Sequence, residues 1–103
     1  MDLQVRYGGF RVEPQHPKSI QEAVDLLLTE LPEKDQQAIR IMAEVQLFSL
    51  HFSLGKFIRN GFGLWGNNVE LLRACCPDSS LPNADEASMV IIMALWWKLQ
   101  PVQ

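Results

Sequence analysis

Between residues 18 and 31 Ile20, Ala23, Val24, Leu27, Leu28 and Leu31 recur at the three- and four-residue spacing that collects one face of an α-helix. Ser19 followed by Glu22 is a capping-box pair in front of that run, so the spacing predicts a helix over 19–31. Pro32 suits the first turn of a second helix, which carries Ile39 and Met42 inward before a break near Ala43. A third helix follows over about 44–60, closed by Asn60 and Gly61 in a left-handed cap. Residues 62–66 are too aromatic for a solvated loop and too rich in glycine for a helix, and are expected to tuck their side chains into the core as a turn. A short helix from 67 or 68 to 75 and a surface loop over 77–82 come next. Asn83 and Glu86 repeat the capping pair and open a last helix that runs to 99.

The first residues read differently. Leu3, Val5, Tyr7, Phe10 and Val12 alternate with polar side chains around Gly8-Gly9, the pattern of a β-hairpin with Tyr7 opposite Phe10 and Val5 opposite Val12. A lone hairpin is marginal in water and needs the helices to pack against. The pattern therefore predicts a mainly α fold, a small helical bundle of four to five helices with a short N-terminal β-hairpin. Residues 1–17 form the hairpin or a leader, and residues 18–103 a single helical domain; a chain of 103 residues has room for one core.

Projected at about 100° per residue, the third helix shows a narrow polar arc of Gln46, Ser49, Ser53 and Lys56. His51, Gly55 and Arg59 are four apart, so they form a single stripe, and that stripe lies in the apolar sector among Leu47, Phe48, Phe52 and Ile58. Gly55 costs a helix interior about 1 kcal/mol relative to Ala, which implies the close approach of another backbone or a large ring, from Trp65 or the last helix. On the last helix Ser88 shares a stripe with Ile92, Leu95 and Leu99, with Asp85 one turn earlier. Polar groups aimed inward are costly unless paired, so His51, Arg59, Asp85 and Ser88 are expected to meet in one hydrogen-bonded cluster, with an ion pair between Arg59 and Asp85.

That cluster has two readings. Structurally, it fixes the register of the third and last helices. Chemically, it is a pocket in which His51 acts as acid or base, Arg59 clamps an anion and Asp85 orients its partner. No nucleophile, metal quartet or phosphate loop accompanies it, and Gly61-Phe62-Gly63 lacks the strand that precedes a phosphate cradle. Residues 89–97 of the last helix carry no polar side chain on any face, so this helix is expected to be central, or to offer an outer face to another chain. Trp65, Met93, Trp96 and Trp97 are the candidate binding residues, because large apolar and aromatic groups anchor interfaces. His16 reads as a solvated linker residue.

Composition narrows the classes further. Hydrophobic residues make up 48% of the chain and charged residues 20%, enough apolar surface for an ordered core. Nine Lys and Arg against twelve Asp and Glu leave a net charge of −3, which repels phosphate backbones, so nucleic acid is not expected as a partner. A helix-turn-helix reading would need Arg40, Lys56, Arg59 and Arg73 on one exposed face. Cys75 and Cys76 are adjacent and ill-placed for a mutual disulfide; with no apolar leader behind Met1, a cytoplasmic location follows. The longest apolar run is nine residues, short of the roughly 20 of a membrane span, so no membrane partner is expected. No cofactor or metal is implied.

The stretch His51-Phe52-Ser53-Leu54-Gly55-Lys56-Phe57-Ile58-Arg59-Asn60-Gly61-Phe62-Gly63-Leu64-Trp65 resembles the signature of an uncharacterised family of small bacterial and phage proteins, and Asp85-Glu86-Ala87-Ser88-Met89-Val90-Ile91-Ile92 is similar to that family's second block. With the first helix, the resemblance spans most of residues 18–99 and leaves the N-terminal hairpin outside. Asn83-Ala84 stands where the family often reads His-Pro, so no role passes to position 83. The family has no assigned reaction, cofactor or partner. Its phage and mobile-element setting implies an accessory protein, of an immunity type or one that inhibits host defence. Together these readings favour a non-enzymatic module that binds a protein partner or forms a homo-oligomer, with a His51, Arg59 and Asp85 pocket for a small ligand or reaction as the rival.

Overall fold

The serine predicted to open the first helix does so. In a computed structural model that describes residues 16–101, Ser19 Oγ accepts a hydrogen bond from the Glu22 amide and the Glu22 carboxylate accepts one from the Lys18 amide. The helix they start, α1 (Ile20–Glu30), buries Ala23, Val24 and Leu27. Its last carbonyls, which a helix cannot satisfy itself, are met from the next element, where the Gln36 side-chain amide donates to the carbonyls of Leu28 and Leu31. That element, α2 (Glu33–Arg40), buries Ile39 and also Asp35, whose carboxylate lies in the first turn, where the helix dipole favours negative charge.

The continuous third helix is not found. Residues Glu44–Leu50 wind as a 3₁₀ helix, a turn occupies 51–53, and α3 (Leu54–Gly61) begins afresh. Two serines explain part of the break. Ser49 Oγ donates to the Gln46 carbonyl and Ser53 Oγ to the Leu50 carbonyl, three-residue bonds that compete with the α ladder. In a 3₁₀ helix residues three apart eclipse, so Leu47 and Leu50 share the buried edge while Val45 and Phe48 lie on an exposed one. Phe48 and Phe52, expected to face inward, therefore face solvent. The split also raises the count to six helices among the described residues, above the four to five expected. No strand occurs among the described residues, and the expected hairpin lies outside them.

After α3 the left-handed residue is Gly63 (φ +74), not Gly61. A β-carbon on Gly63 would also lie 3.0 Å from the His16 ring and 3.2 Å from Asn68 Cβ, so conformation and space both call for glycine. This turn buries Phe62 and Leu64 as expected but swings Trp65 outward. Asn68 then caps α4 (Val69–Cys75) by accepting from the Leu71 amide, and its side-chain amide donates to the carbonyls of Pro17 and Phe62. One buried amide thus joins the start of the described chain, the turn and a helix N-terminus.

Asn83 caps the last helix, α5 (Ala84–Leu99). It packs against α1, α2, the 3₁₀ helix, α3 and α4, and its Ala87, Ser88, Ile91, Ile92 and Leu95 are buried. Central burial, the first of the two expected outcomes, is what occurs, although Trp97 near the C-terminal end remains exposed. Trp96 and Gln100 close that end, the indole donating to the Met42 carbonyl and the Gln100 amide to the carbonyls of Arg40 and Trp96. Among the described residues no helix is long and apolar enough to cross a membrane.

Candidate functional site

Arg59 folds back along its own helix. Gly55 is one turn earlier on α3, and a β-carbon there would lie 2.9 Å from Arg59 Nη1. The gap expected at Gly55 is therefore filled by a guanidinium, with Ser88 of α5 behind it at 3.7 Å, rather than by Trp65. From this seat Arg59 Nη1 donates to Ser88 Oγ at 3.0 Å and Nη2 to the His51 carbonyl at 3.1 Å. The break at 51–53 supplies that carbonyl, because in an uninterrupted α-helix it would face the amide four residues on. Nη1 also approaches His51 Nδ1 at 3.4 Å. A guanidinium has only donors, so in this contact His51 Nδ1 is the acceptor.

The four polar residues expected to meet do come together, but they are not all buried. Arg59 is buried and Ser88 fully so, with the Ser88 hydroxyl also donating to the Asp85 carbonyl at 2.9 Å. His51 is largely covered, with 13% of its side chain exposed, whereas the Asp85 side chain is 64% exposed. Asp85 was expected to point inward; as the second residue of α5 it sits at the rim, where water can solvate it. Its Oδ1 lies 3.6 Å from Arg59 Nε and 3.9 Å from His51 Nε2, so the expected Arg59–Asp85 pair is present as an electrostatic contact. It is longer than a hydrogen bond, and Arg59 Nε is buried with no hydrogen-bond partner. With one member so exposed, the pair itself contributes little, within about 1 kcal/mol.

Aromatic rings surround this cluster. Phe48 stacks on the His51 ring with centroids 5.3 Å apart, and Phe52 meets it edge-on at 4.7 Å. On the other side the Arg59 guanidinium lies 6.0 Å from the Trp65 ring, which Asn60 holds through a 2.7 Å hydrogen bond from the indole. Phe48, Phe52 and Trp65 are 64%, 75% and 66% exposed. Of the proposed binding residues, Trp65 and Trp97 are therefore at the surface. Met93 and Trp96 are half-buried against the core, and the Trp96 indole is engaged by Met42. Sequence reasoning missed Phe48 and Phe52 because it assumed an unbroken helix; the serines at 49 and 53 were the available signal.

A shallow concavity of about 220 Å³ opens beside Trp65, lined by Arg59, Asn60, Gly63, Trp65, Gly66 and Asn67. Arg59 alone among the four polar residues contributes to it. Ser88 is inaccessible and its oxygen is occupied by two hydrogen bonds, so it is not placed to attack a substrate. Among the described residues no group of three or more His, Cys, Asp or Glu side chains could hold a metal ion. The buried thiols Cys75 and Cys76 are free. Burial, with Cys76 alongside, pushes Cys75 up to about 12, so it stays protonated, and unreactive, at neutral pH. Because the folded state holds this proton more tightly, its contribution to stability is complete below pH 9.0, the ordinary value, and is lost as pH rises from there toward about 12. A thiol reagent at pH 8 is expected to modify Cys75 at a rate set by unfolding, and to modify it promptly in urea; equal rates in the two conditions would contradict its burial.

Residues 16–99 match the family described as domain of unknown function DUF6794. The chain belongs to this family. The DUF6794 match runs from the residue packed on Gly63 to the last residue of α5, so it takes in all six helices and every residue of the polar cluster, and it agrees with the expected membership of an uncharacterised family. No curated protein and no solved structure matches the chain.

Proposed function

We propose that this DUF6794 chain is a non-enzymatic protein-binding module whose docking face is formed by Phe48, Phe52 and Trp65 around the Arg59 cluster. The observation that carries the reading is the exposure of three large rings on a scaffold that cannot collapse over them. His51 and Arg59, on which the rings rest, are themselves held by hydrogen bonds, that of Arg59 to Ser88 buried and that to the His51 carbonyl partly so. Rigid aromatic groups with an arginine among them are the composition of interface anchors. A face already ordered before binding also loses little conformational entropy on association. Two buried, reduced thiols suit a reducing compartment and support a cytoplasmic location, and an accessory role in a phage or mobile element would act through this same face.

The double substitution Phe48→Ala with Phe52→Ala tests the proposal. Both rings are exposed, so each change is expected to move stability by no more than about 0.5 kcal/mol, which thermal unfolding checks. Affinity capture from the source cell followed by mass spectrometry should recover a partner with the wild type and lose it with the double variant. Recovery of the same proteins by both would remove this face from consideration. The rival small-ligand reading has one observation in its favour, the concavity beside Trp65 that Arg59 helps to line. In its support, Trp65→Ala would abolish ligand binding while the Phe48 and Phe52 variant retained it.

A further inference from the structure

We infer that the partner presents a basic segment to this face, with a lysine or arginine side chain seated against the Asp85 carboxylate and its stem along the rings of Phe48 and Phe52. The inference rests on the protein-binding reading above. It starts from how the cluster is polarised. The cation of Arg59 is buried and held by the Ser88 hydroxyl and the His51 carbonyl, while the anion of Asp85 is 64% exposed. The face therefore shows water the negative end of the pair. Asp85 Oδ1 is 3.6 Å from Arg59 Nε and 3.9 Å from His51 Nε2, both beyond hydrogen-bond distance, and an ionised carboxylate offers about four acceptor positions. An incoming ammonium or guanidinium can donate to it without breaking the internal hydrogen bonds.

The rings supply the remainder of the site. His51 touches Phe48, Phe52 and Asp85 together, so the carboxylate is one residue removed from both exposed phenyl faces. A cation within about 6 Å of such a face is attracted to it, and the methylene stem of Lys or Arg packs on apolar surface while its head stays polar. Glu44, in the 3₁₀ helix that carries Phe48, and Glu86, beside Asp85, are exposed acids, against the exposed base Lys56 in α3. The net charge of −3 adds long-range steering for a basic partner. On the side of Phe48 and Phe52 an acidic segment would meet the exposed Asp85 carboxylate first. A wholly apolar one would desolvate that carboxylate with nothing in exchange.

The probe is a displayed library of random short peptides panned on the full chain, with the Phe48→Ala and Phe52→Ala double variant and Asp85→Asn as parallel baits. The expected result is enrichment on the wild type of net-positive peptides that carry Lys or Arg beside apolar residues, and none on the phenylalanine variant. Their affinity should weaken with added salt and fall about tenfold or more on Asp85→Asn, as the loss of one hydrogen bond to a charged group predicts. Circular dichroism confirms that Asp85→Asn is folded, which its exposure favours. Enrichment of neutral or acidic peptides that still require Phe48 and Phe52, or basic peptides indifferent to Asp85→Asn, would overturn the charge inference and leave the docking face standing. Failure of any peptide to distinguish the wild type from the phenylalanine variant would overturn both.

Discussion

Arg59→Ala is expected to destabilise the fold by about 3 kcal/mol, the low end of what breaking a buried charge cluster costs. For a domain of this size the corresponding fall in Tm exceeds about 10 °C. Removing the guanidinium leaves the His51 carbonyl and the Ser88 hydroxyl without their donor and opens a space beside Gly55 that no neighbouring side chain occupies. The estimate stays at the low end because Asp85, being exposed, rehydrates when its cation is lost. Arg59→Lys should recover only a minority of the loss, since one ammonium cannot reproduce a fork that reaches Ser88 and the His51 carbonyl at once. Urea denaturation of the three proteins settles the matter. An unchanged midpoint for Arg59→Ala would mean that the cluster holds nothing together.

Gly55→Ala is the second substitution with a large expected effect, and its sign depends on residue 59. In a helix this change ordinarily stabilises by up to about 1 kcal/mol. Here the new methyl lands 2.9 Å from Arg59 Nη1, closer than carbon and nitrogen can stay, so the guanidinium must shift and strain the hydrogen bonds to Ser88 and the His51 carbonyl that hold it. A net loss of about 1–2 kcal/mol is expected, as for overpacking elsewhere. With Arg59→Ala already present the obstacle is gone, and the same Gly55→Ala should stabilise. The double-mutant cycle should therefore give a coupling of about 2 kcal/mol. Additive effects would show that the arginine does not rest on the glycine.

These two positions also mark how far the sequence could be read. That Gly55 admits a large neighbour and that Arg59 needs an inward partner both follow from helical spacing, whereas the approach of residues 85 and 88 to residue 59 was expected from the cost of burying polar groups unpaired. What fills the gap at Gly55 does not follow, because the arginine side chain from one turn along the same helix is as compatible with the spacing as a ring from elsewhere. The helices α1 and α5 were legible from end to end because their caps are local: Ser19 with Glu22, and Asn83 with Glu86, act within one turn. The break at 51–53 was not, since it is completed by a hydrogen bond from a guanidinium eight residues away. Once the break is missed, Phe48 and Phe52 are rotated to the wrong side. The burial of Asp85 was misjudged for a different reason: its stripe on α5 points toward the core, but at the first turn that stripe has not yet gone under cover.

The placement of α5 has a consequence for any attempt to divide the protein. Every other helix among the described residues packs against residues 84–99. A fragment that stops before residue 84 holds five apolar faces with no common surface to turn toward. Such a piece would expose those faces to whatever else the solution contained, and adding the missing helix as a separate peptide would be the direct way to restore it.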